Sequence, residues 1–351
     1  MNTLEKKVQK YVFNIDEIIK KTTSEKILFG LYSELSRLKM IIDTCSLNVS
    51  LPIGVSNYFK NDVDFSDKIE LILLENLMKT CISMKEVDYS LGLVGKELYQ
   101  KYGSKDYFGN SLKVSLGKSI SLALKFFDYY DVKLLKYFKD LIDNGFIFSA
   151  PLIEEGITSG FTATLSSQRD SVIIVHKKES IELASTLIHE TFHSYVESFL
   201  HDISFEKKAL RYANNLDEVI TNFSEIVFIQ FLKDIKFDNK SIQYLESMTD
   251  DFLIYMLEEY SFRNDIPLEE YLENYNVYRD SEGCTYGLYL AYQYFNSYLH
   301  NDNKTKNDIL DFSLETANKE KLYLLDNYGL SLEGIKKKET TERVLKKHMG
   351  Y

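Results

Sequence analysis

The feature that most constrains this chain is the pentapeptide His189-Glu190-Thr191-Phe192-His193. Side chains four residues apart lie on one face of an α-helix, so the two imidazoles point the same way only if this segment is helical. Residues 180–188 lead into it with helical apolar spacing and without Gly or Pro, which predicts that helix. Two imidazoles on one face supply half of a tetrahedral zinc site. Glu190, rotated by about 100°, can reach a water held by the metal. The pattern therefore predicts one zinc ion per chain and a water activated for amide hydrolysis.

The third protein ligand has to come from elsewhere in the chain. His201 lies about 80° further round the helix than His193, and no Gly turn precedes it, so a distant carboxylate is the better candidate. A second acidic helix beginning near Asp217 offers two, Glu218 and Glu225, which lie on nearly the same face two turns apart. One of them can bind the metal while the other holds a His ring.

Composition limits the partners and the compartment. The chain has 351 residues and a net charge of −11, with no basic stripe, which argues against nucleic acid as a partner. Its three Cys are far apart and form no C-x-x-C, so we expect reduced thiols in a cytoplasmic protein. The first 21 residues lack the apolar core of a signal peptide, and no apolar run is long enough to span a membrane.

Hydrophobic periodicity predicts a mainly α fold with one small β region. Apolar spacing predicts long helices over 4–46 and 66–102, separated by a loop around Pro52 and Gly54. Further helices are predicted within 109–145 and over 216–234, 241–261, 268–275, 284–300 and 306–345, with the polar residues 204–215 as a connection. Residues 146–176 are typical of a hairpin or short sheet. We therefore expect an N-terminal helical region, 1–145, and a catalytic region, 146–351, or one continuous two-lobed domain.

A short apolar strand precedes the predicted zinc helix. It comprises Val172, Ile173, Ile174 and Val175, with His176 at its end. In zinc peptidases an edge strand beside the metal can hold an extended peptide by backbone pairing, so we interpret this strand as a substrate strand. A purely structural hairpin is the alternative, and His176 is expected at the surface or behind a ligand.

A polar segment, 275–289, is a candidate lid over the substrate. Gly283 and Gly287 are candidate hinges, and Tyr278 and Tyr286 lie near them. A Tyr hydroxyl directed at the developing oxyanion would stabilise the transition state. Both Tyr are therefore candidate catalytic residues, and packing residues are the alternative in a chain with 26 Tyr.

Several motifs together resemble the oligoendopeptidase F and thimet oligopeptidase family of gluzincins. They are Gly156-x3-Gly160-Phe161, the strand 172–175, Thr186-Leu187-x-His189-Glu190-x2-His193-Ser194-Tyr195, Glu218-Val219-x-Thr221-x-Phe223-x-Glu225 and Gly287-x3-Ala291, with 25 residues between His193 and Glu218. The resemblance covers residues 156 to about 300. The family usually has Gly before the second His, where this chain has Phe192, and the chain is shorter than typical members.

The resemblance implies a helical zincin-type metallopeptidase with a cleft. It makes His189, His193 and Glu218 zinc ligands and Glu190 the general base, and we expect Glu225 and Asn222 to contact the ligands rather than the metal. The predicted function is a zinc-dependent endopeptidase that hydrolyses oligopeptides. The alternatives are a protease specific for one protein or peptide, and a catalytically inactive helical peptide-binding protein. The sequence leaves the oligomeric state open.

Overall fold

Helices make up most of the chain, and one small sheet lies among them, as predicted. The computed structural model describes residues 3–60, 91, 93–94, 96–97, 112–150, 160–176, 179–259, 266–267, 270, 275–299, 302–335 and 337. The helices are α1 Thr3–Ile19, α2 Glu25–Thr44, α3 Ile53–Lys60, α4 Leu116–Tyr130, α5 Val132–Asp143, α6 Glu182–Leu200, α7 Phe205–Asn214, α8 Glu218–Asp234, α9 Asn239–Glu259, α10 Tyr275–Tyr298, α11 Asp302–Glu315 and α12 Lys321–Asn327. The strands are β1 Ile147–Ala150, β2 Gly160–Leu165 and β3 Asp170–His176.

The N-terminal helices differ from the prediction in two places. The predicted helix over 4–46 is interrupted at residues 20–24, where Ser24 adopts an extended conformation as the N-cap residue of α2. Thr and Ser favour such positions because their hydroxyls compete with the helix backbone. The predicted loop around Pro52 and Gly54 contains α3, which begins directly after Pro52. The helix predicted over 66–102 lies outside the described residues, apart from five helical positions between 91 and 97.

The described residues belong to two units. The first comprises Met1–Glu75 and Val114–Phe205, and the second comprises Asn76–Lys113 and Glu206–Tyr351. The sequence suggests a different division, into a helical region 1–145 and a catalytic region 146–351. This functional division stays a prediction. No helix among the residues that the structure describes is both long enough and apolar enough to cross a membrane.

In the first unit, the sheet has helices on both faces. One face of the sheet joins the apolar sides of α1, α2 and α3 in a single core that includes Ala163, Val172 and Ile174. The opposite face, which Ile173 and Val175 share by strand alternation, packs against α6. Helices α4 and α5 pack against α6 in turn. The predicted zinc helix is therefore an internal element of this unit.

Strand β3 is the central strand of the sheet. The order is β1-β3-β2, with β1 parallel and β2 antiparallel to β3. Ile173 pairs with Ile147 on one side and with Thr162 on the other. Because its backbone groups already form two ladders, β3 cannot hold a peptide by pairing, and the interpretation of Val172–Val175 as a substrate strand is wrong. The β-branched run that suggested it is typical of a strand buried on both faces.

The second unit is built around α8 and α10, which pack along each other. Phe223 of α8 lies edge-on against Tyr294 and Tyr298 of α10, and Tyr294 continues the aromatic core to Phe312 of α11. The polar segment 204–215, predicted to be a connection, is mostly helix α7.

The predicted lid over 275–289 is helical. It forms the first half of α10, so Gly283 and Gly287 are not loop hinges. Both glycines instead lie where α10 comes close to the chain around the start of α8. A Cβ atom at position 283 would meet the Asn215 side chain at 2.5 Å, and one at 287 would meet the Glu218 Cβ at 2.5 Å.

Candidate active site

The helix that carries the pentapeptide, α6, is buried on nearly every side. Its leading residues and most of its later ones are buried, although several of them are polar. One stripe is only partly buried, and it contains His189, His193 and Glu197. The fold therefore presents both imidazoles on a partly accessible stripe of a largely buried helix.

The two imidazoles converge on each other. Their Nε2 atoms are 3.2 Å apart, and their ring centroids are 4.9 Å apart. One ligand atom each of His189, His193 and Glu218 lie within 4.8 Å of one another, and in the described part of the chain this is the group with the spacing of a metal site. The structure thus brings together the three residues that the motifs singled out as ligands.

Phe192 stands where the family that the motifs resemble usually has Gly. Its ring belongs to an aromatic cluster between α6 and α4. It is 1% exposed and contacts the rings of Phe127 and Tyr130 on α4. Phe127 in turn packs on Phe138 of α5. Its ring contacts place the side chain against α4. The departure from the family motif is thus absorbed by the packing of α4 and α5.

Glu190 is buried against the sheet. The residue is 6% exposed and faces β2, where the Thr162 hydroxyl lies 2.8 Å from Oε2 and 2.9 Å from the Glu190 backbone oxygen. A buried carboxylate is costly unless hydrogen-bonded, so Thr162 offsets part of that cost. Thr162 belongs to no motif in the sequence, although strand alternation places it on the same face as Gly160, toward α6.

A second polar contact fixes α6 just after His193. The Tyr137 hydroxyl of α5 lies 2.6 Å from Ser194 Oγ and donates to the Ser194 backbone oxygen at 3.0 Å. Burial raises the pKa of Tyr137, an effect that its hydrogen bonds to serine partly oppose, so the hydroxyl stays protonated near neutral pH. The position of the His pair along the helix axis is therefore tied to α5.

Glu218 has its own supporting contacts at the start of α8. Thr221, which is fully buried, donates from Oγ1 to Glu218 Oε2 at 3.1 Å. The Asn222 amide donates to the Glu218 backbone oxygen at 2.7 Å. Gly287 of α10 lies so close that an added Cβ would be 2.8 Å from the Glu218 carbonyl carbon. Asn222 is thus placed beside Glu218, while the role of Gly287 was not foreseen.

The remaining candidates lie in varied settings. Glu225 is two turns after Glu218 on α8 and partly buried. Tyr286 is buried on α10, with the Lys321 ammonium 5.5 Å from its ring centroid. Tyr278 lies on the first turns of α10, and its side chain lies outside the described residues. His201 ends α6 and contacts Asp202 at 3.1 Å.

Comparison with known proteins gives a fold. No family model matches the sequence, and no curated protein matches it significantly. Among solved structures, a Bacillus anthracis protein assigned as an oligoendopeptidase F aligns over 98% of this chain and 78% of its own, with a TM-score of 0.52 and 13% identity. The chain has an oligoendopeptidase F-like fold. At this identity the likeness is one of fold.

Two further structures are similar at TM-scores below 0.5. One is assigned as a peptidase from Chlamydophila abortus, with a TM-score of 0.49, 13% identity, and coverage of 79% of this chain and 55% of its own. The other is PZ peptidase A with an inhibitor, with a TM-score of 0.48, 12% identity, and coverage of 98% and 71%.

Proposed function

We propose that this chain is a zinc-dependent peptidase that hydrolyses oligopeptides. His189, His193 and Glu218 are the proposed zinc ligands and Glu190 the general base. The observation that carries the proposal is the convergence of these three ligand atoms within 4.8 Å, with the two imidazoles on a helix of the H-E-x-x-H pattern. The fold, shared with a structure assigned as an oligoendopeptidase, supports peptides as the substrate class.

The spacing of the imidazoles supports zinc. Two nitrogens bound to one tetrahedral ion at 2.0–2.1 Å are about 3.3 Å apart. The two Nε2 atoms here are 3.2 Å apart, and a carboxylate oxygen completes the set of three protein ligands usual for catalytic zinc. Neutral His and ionised Glu are the forms that bind zinc.

Glu190 is suited to proton transfer in this arrangement. A bound zinc ion would polarise the scissile carbonyl and lower the pKa of a water molecule. The carboxylate of Glu190, one position after a ligand, would take the proton of that water and pass it to the leaving amine nitrogen. The residue is buried against β2, and the Thr162 hydroxyl lies 2.8 Å from its Oε2 atom.

The sheet also suggests where an extended peptide would lie. Backbone pairing needs an outer strand. Among the described strands, β1 and β2 are the outer ones, and β2 carries the Thr162 that contacts Glu190. The Thr164 backbone oxygen of β2 already accepts from Arg37 at 2.6 Å, so β1 and β2 both stay candidates for substrate pairing.

The experiment is a mass-spectrometric digest of a peptide library by the purified protein, with and without chelator. Chelator-sensitive cleavage is expected. Glu190→Gln should retain zinc but lose activity by at least about 10²-fold, the usual contribution of a positioned acid-base group. His193→Ala should lose the metal, because two protein ligands hold zinc poorly.

The outcomes separate the three functions considered. Cleavage unaffected by chelator, or by Glu190→Gln, would contradict the proposal. Cleavage of a single protein partner but of no library peptide would favour a site-specific protease. Zinc binding without hydrolysis of any peptide would favour a catalytically inactive peptide-binding protein.

A further inference from the structure

The strand β2 has two chemically distinct faces. Phe161, Ala163 and Leu165 point into the core shared with α1 and α2. Gly160, Thr162 and Thr164 therefore occupy the other face, toward α6, because successive side chains alternate. This second face carries only small or hydroxyl-bearing residues, so α6 can approach the strand closely.

Strand and helix are in register along this face. Gly160 lies against Thr186, and Thr162 lies against Glu190, four residues later on α6. Two strand residues advance about 6.8 Å and four helical residues advance about 6.0 Å, so the two elements keep step when they run in the same direction. Because the two rises match, Thr162 lies opposite Glu190.

Gly160 sets the distance between them. A Cβ atom there would lie 2.7 Å from the Thr186 Cγ2 atom and 2.9 Å from the Ile174 backbone oxygen. Both contacts are too short for any side chain, and the second is to the backbone of the same sheet, which rotation of a side chain cannot relieve. The absence of a side chain at 160 is thus a condition for the short contact two residues later.

Thr162 holds the Glu190 carboxylate at one oxygen. Its Oγ1 atom lies 2.8 Å from Oε2 and 2.9 Å from the Glu190 main-chain oxygen, and its one proton is shared between these two acceptors, which links the carboxylate to its own turn of helix. A carboxylate on a flexible side chain would otherwise sample several rotamers. Proton transfer requires the base within hydrogen-bond reach of the water, so its orientation affects the rate directly.

We propose that Thr162 is a positioning residue for Glu190, and that Gly160 makes this possible by allowing β2 and α6 to approach. The proposal rests on the function proposed above. The positioning role predicts that loss of the hydroxyl slows the chemical step and leaves substrate binding and zinc content unchanged. The reason is that the Thr162 hydroxyl bonds Glu190 and neither imidazole.

The principal test compares Thr162→Val with Thr162→Ser in the zinc-loaded protein. Val keeps the shape and removes the hydroxyl, so kcat should fall on the order of 10–100-fold, as expected for a misplaced catalytic group, with KM and zinc content unchanged. Ser restores the hydroxyl and should return kcat to within a few-fold of wild type. The control is Thr249→Val on α9, which removes a hydroxyl that donates to the Leu245 backbone oxygen and should leave kcat near wild type.

A second test needs neither metal nor turnover. In a double-mutant cycle on the metal-free protein, Thr162→Val should lower the denaturation midpoint of wild type more than that of Glu190→Ala, because the hydrogen bond is already absent in the latter. Gly160→Ala should lower kcat in the same direction as Thr162→Val, with Gly117→Ala, whose added Cβ meets nothing within 4 Å, as control.

The positioning role is overturned if Thr162→Val keeps wild-type kcat, if Ser fails to rescue it, or if the cycle shows no coupling. The proposed function fails separately, when wild-type protein shows no chelator-sensitive cleavage. If wild type and Thr162→Val cleave peptides equally well, the positioning role is refuted and the proposed function is not.

Discussion

Replacing Gly287 by Ala adds one methyl group at the closest approach of α10 to Glu218. The new Cβ would lie 2.5 Å from the Glu218 Cβ, 2.8 Å from its carbonyl carbon and 3.0 Å from its carbonyl oxygen. Carbon atoms in van der Waals contact are about 3.5–4.0 Å apart, so the two helices must separate by on the order of 1 Å at this point. Two of the three short contacts are to backbone atoms, and no change of rotamer removes them.

The displacement should affect zinc far more than stability. Metal–ligand distances hold within about 0.2 Å, so a carboxylate moved by on the order of 1 Å no longer binds well. We expect zinc affinity to fall by at least about 10–100-fold, as when a support of a ligand is lost. Overpacking costs about 1–3 kcal/mol, and replacing Gly by Ala in a helix returns about 1 kcal/mol, so the net loss in free energy of unfolding should stay below about 2 kcal/mol.

The assay is competitive zinc titration with a chromophoric chelator, alongside urea unfolding of the metal-free protein. Gly117→Ala on α4 is the control. Its added Cβ meets nothing within 4 Å, so zinc affinity should remain near that of wild type. Equal zinc affinity in wild type and Gly287→Ala would refute the argument that Gly287 places Glu218.

Three further predictions concern neighbouring residues. Glu218→Gln should abolish zinc binding, whereas Glu225→Gln should weaken it about 10–100-fold in the same titration; the reverse order would make Glu225 the ligand. If Tyr286 stabilises the oxyanion, Tyr286→Phe should lower kcat by about 10²–10³-fold in peptide hydrolysis, and a change confined to KM would exclude this. Phe192→Ala should lower the free energy of unfolding by about 3–5 kcal/mol in urea, because the ring is buried among aromatics, whereas Phe199→Ala, at a half-exposed position of the same helix, should cost much less. Similar losses in both variants would contradict the packing argument.

The fold class and the helix of the His pair followed from local sequence because their signals are local. An i, i+4 pair has meaning only on a helix, and the apolar spacing before His189 supplied one. The small sheet was also visible, since Gly160 and the β-branched run 172–175 lie on either side of a turn. The helix and the sheet can be predicted without knowing which elements pack against each other.

The predictions of a substrate strand and of glycine hinges were wrong because both depend on which elements pack against each other. A β-branched run marks a buried strand, but only the pairing order shows that β3 is central and has no edge for a peptide. Gly283 and Gly287 in a polar segment suggested hinges, yet helix α10 runs through both. A glycine that serves flexibility and one that serves close packing look alike in a sequence, and only the partner at 2.5 Å distinguishes them.

The two acidic residues of the proposed mechanism are supported in the same manner. Each has a threonine hydroxyl on its carboxylate, Thr162 for Glu190 and Thr221 for Glu218, and each depends on a nearby glycine where two elements approach. A hydroxyl fixes the orientation of a carboxylate without adding charge, so the carboxylate stays available as base or ligand, whereas a lysine or arginine partner would compete for it. Support of this kind comes from residues that have no signature as catalytic groups. It follows that loss of activity by substitution at small residues of β2 and α10 is expected even where no residue of the pentapeptide is altered.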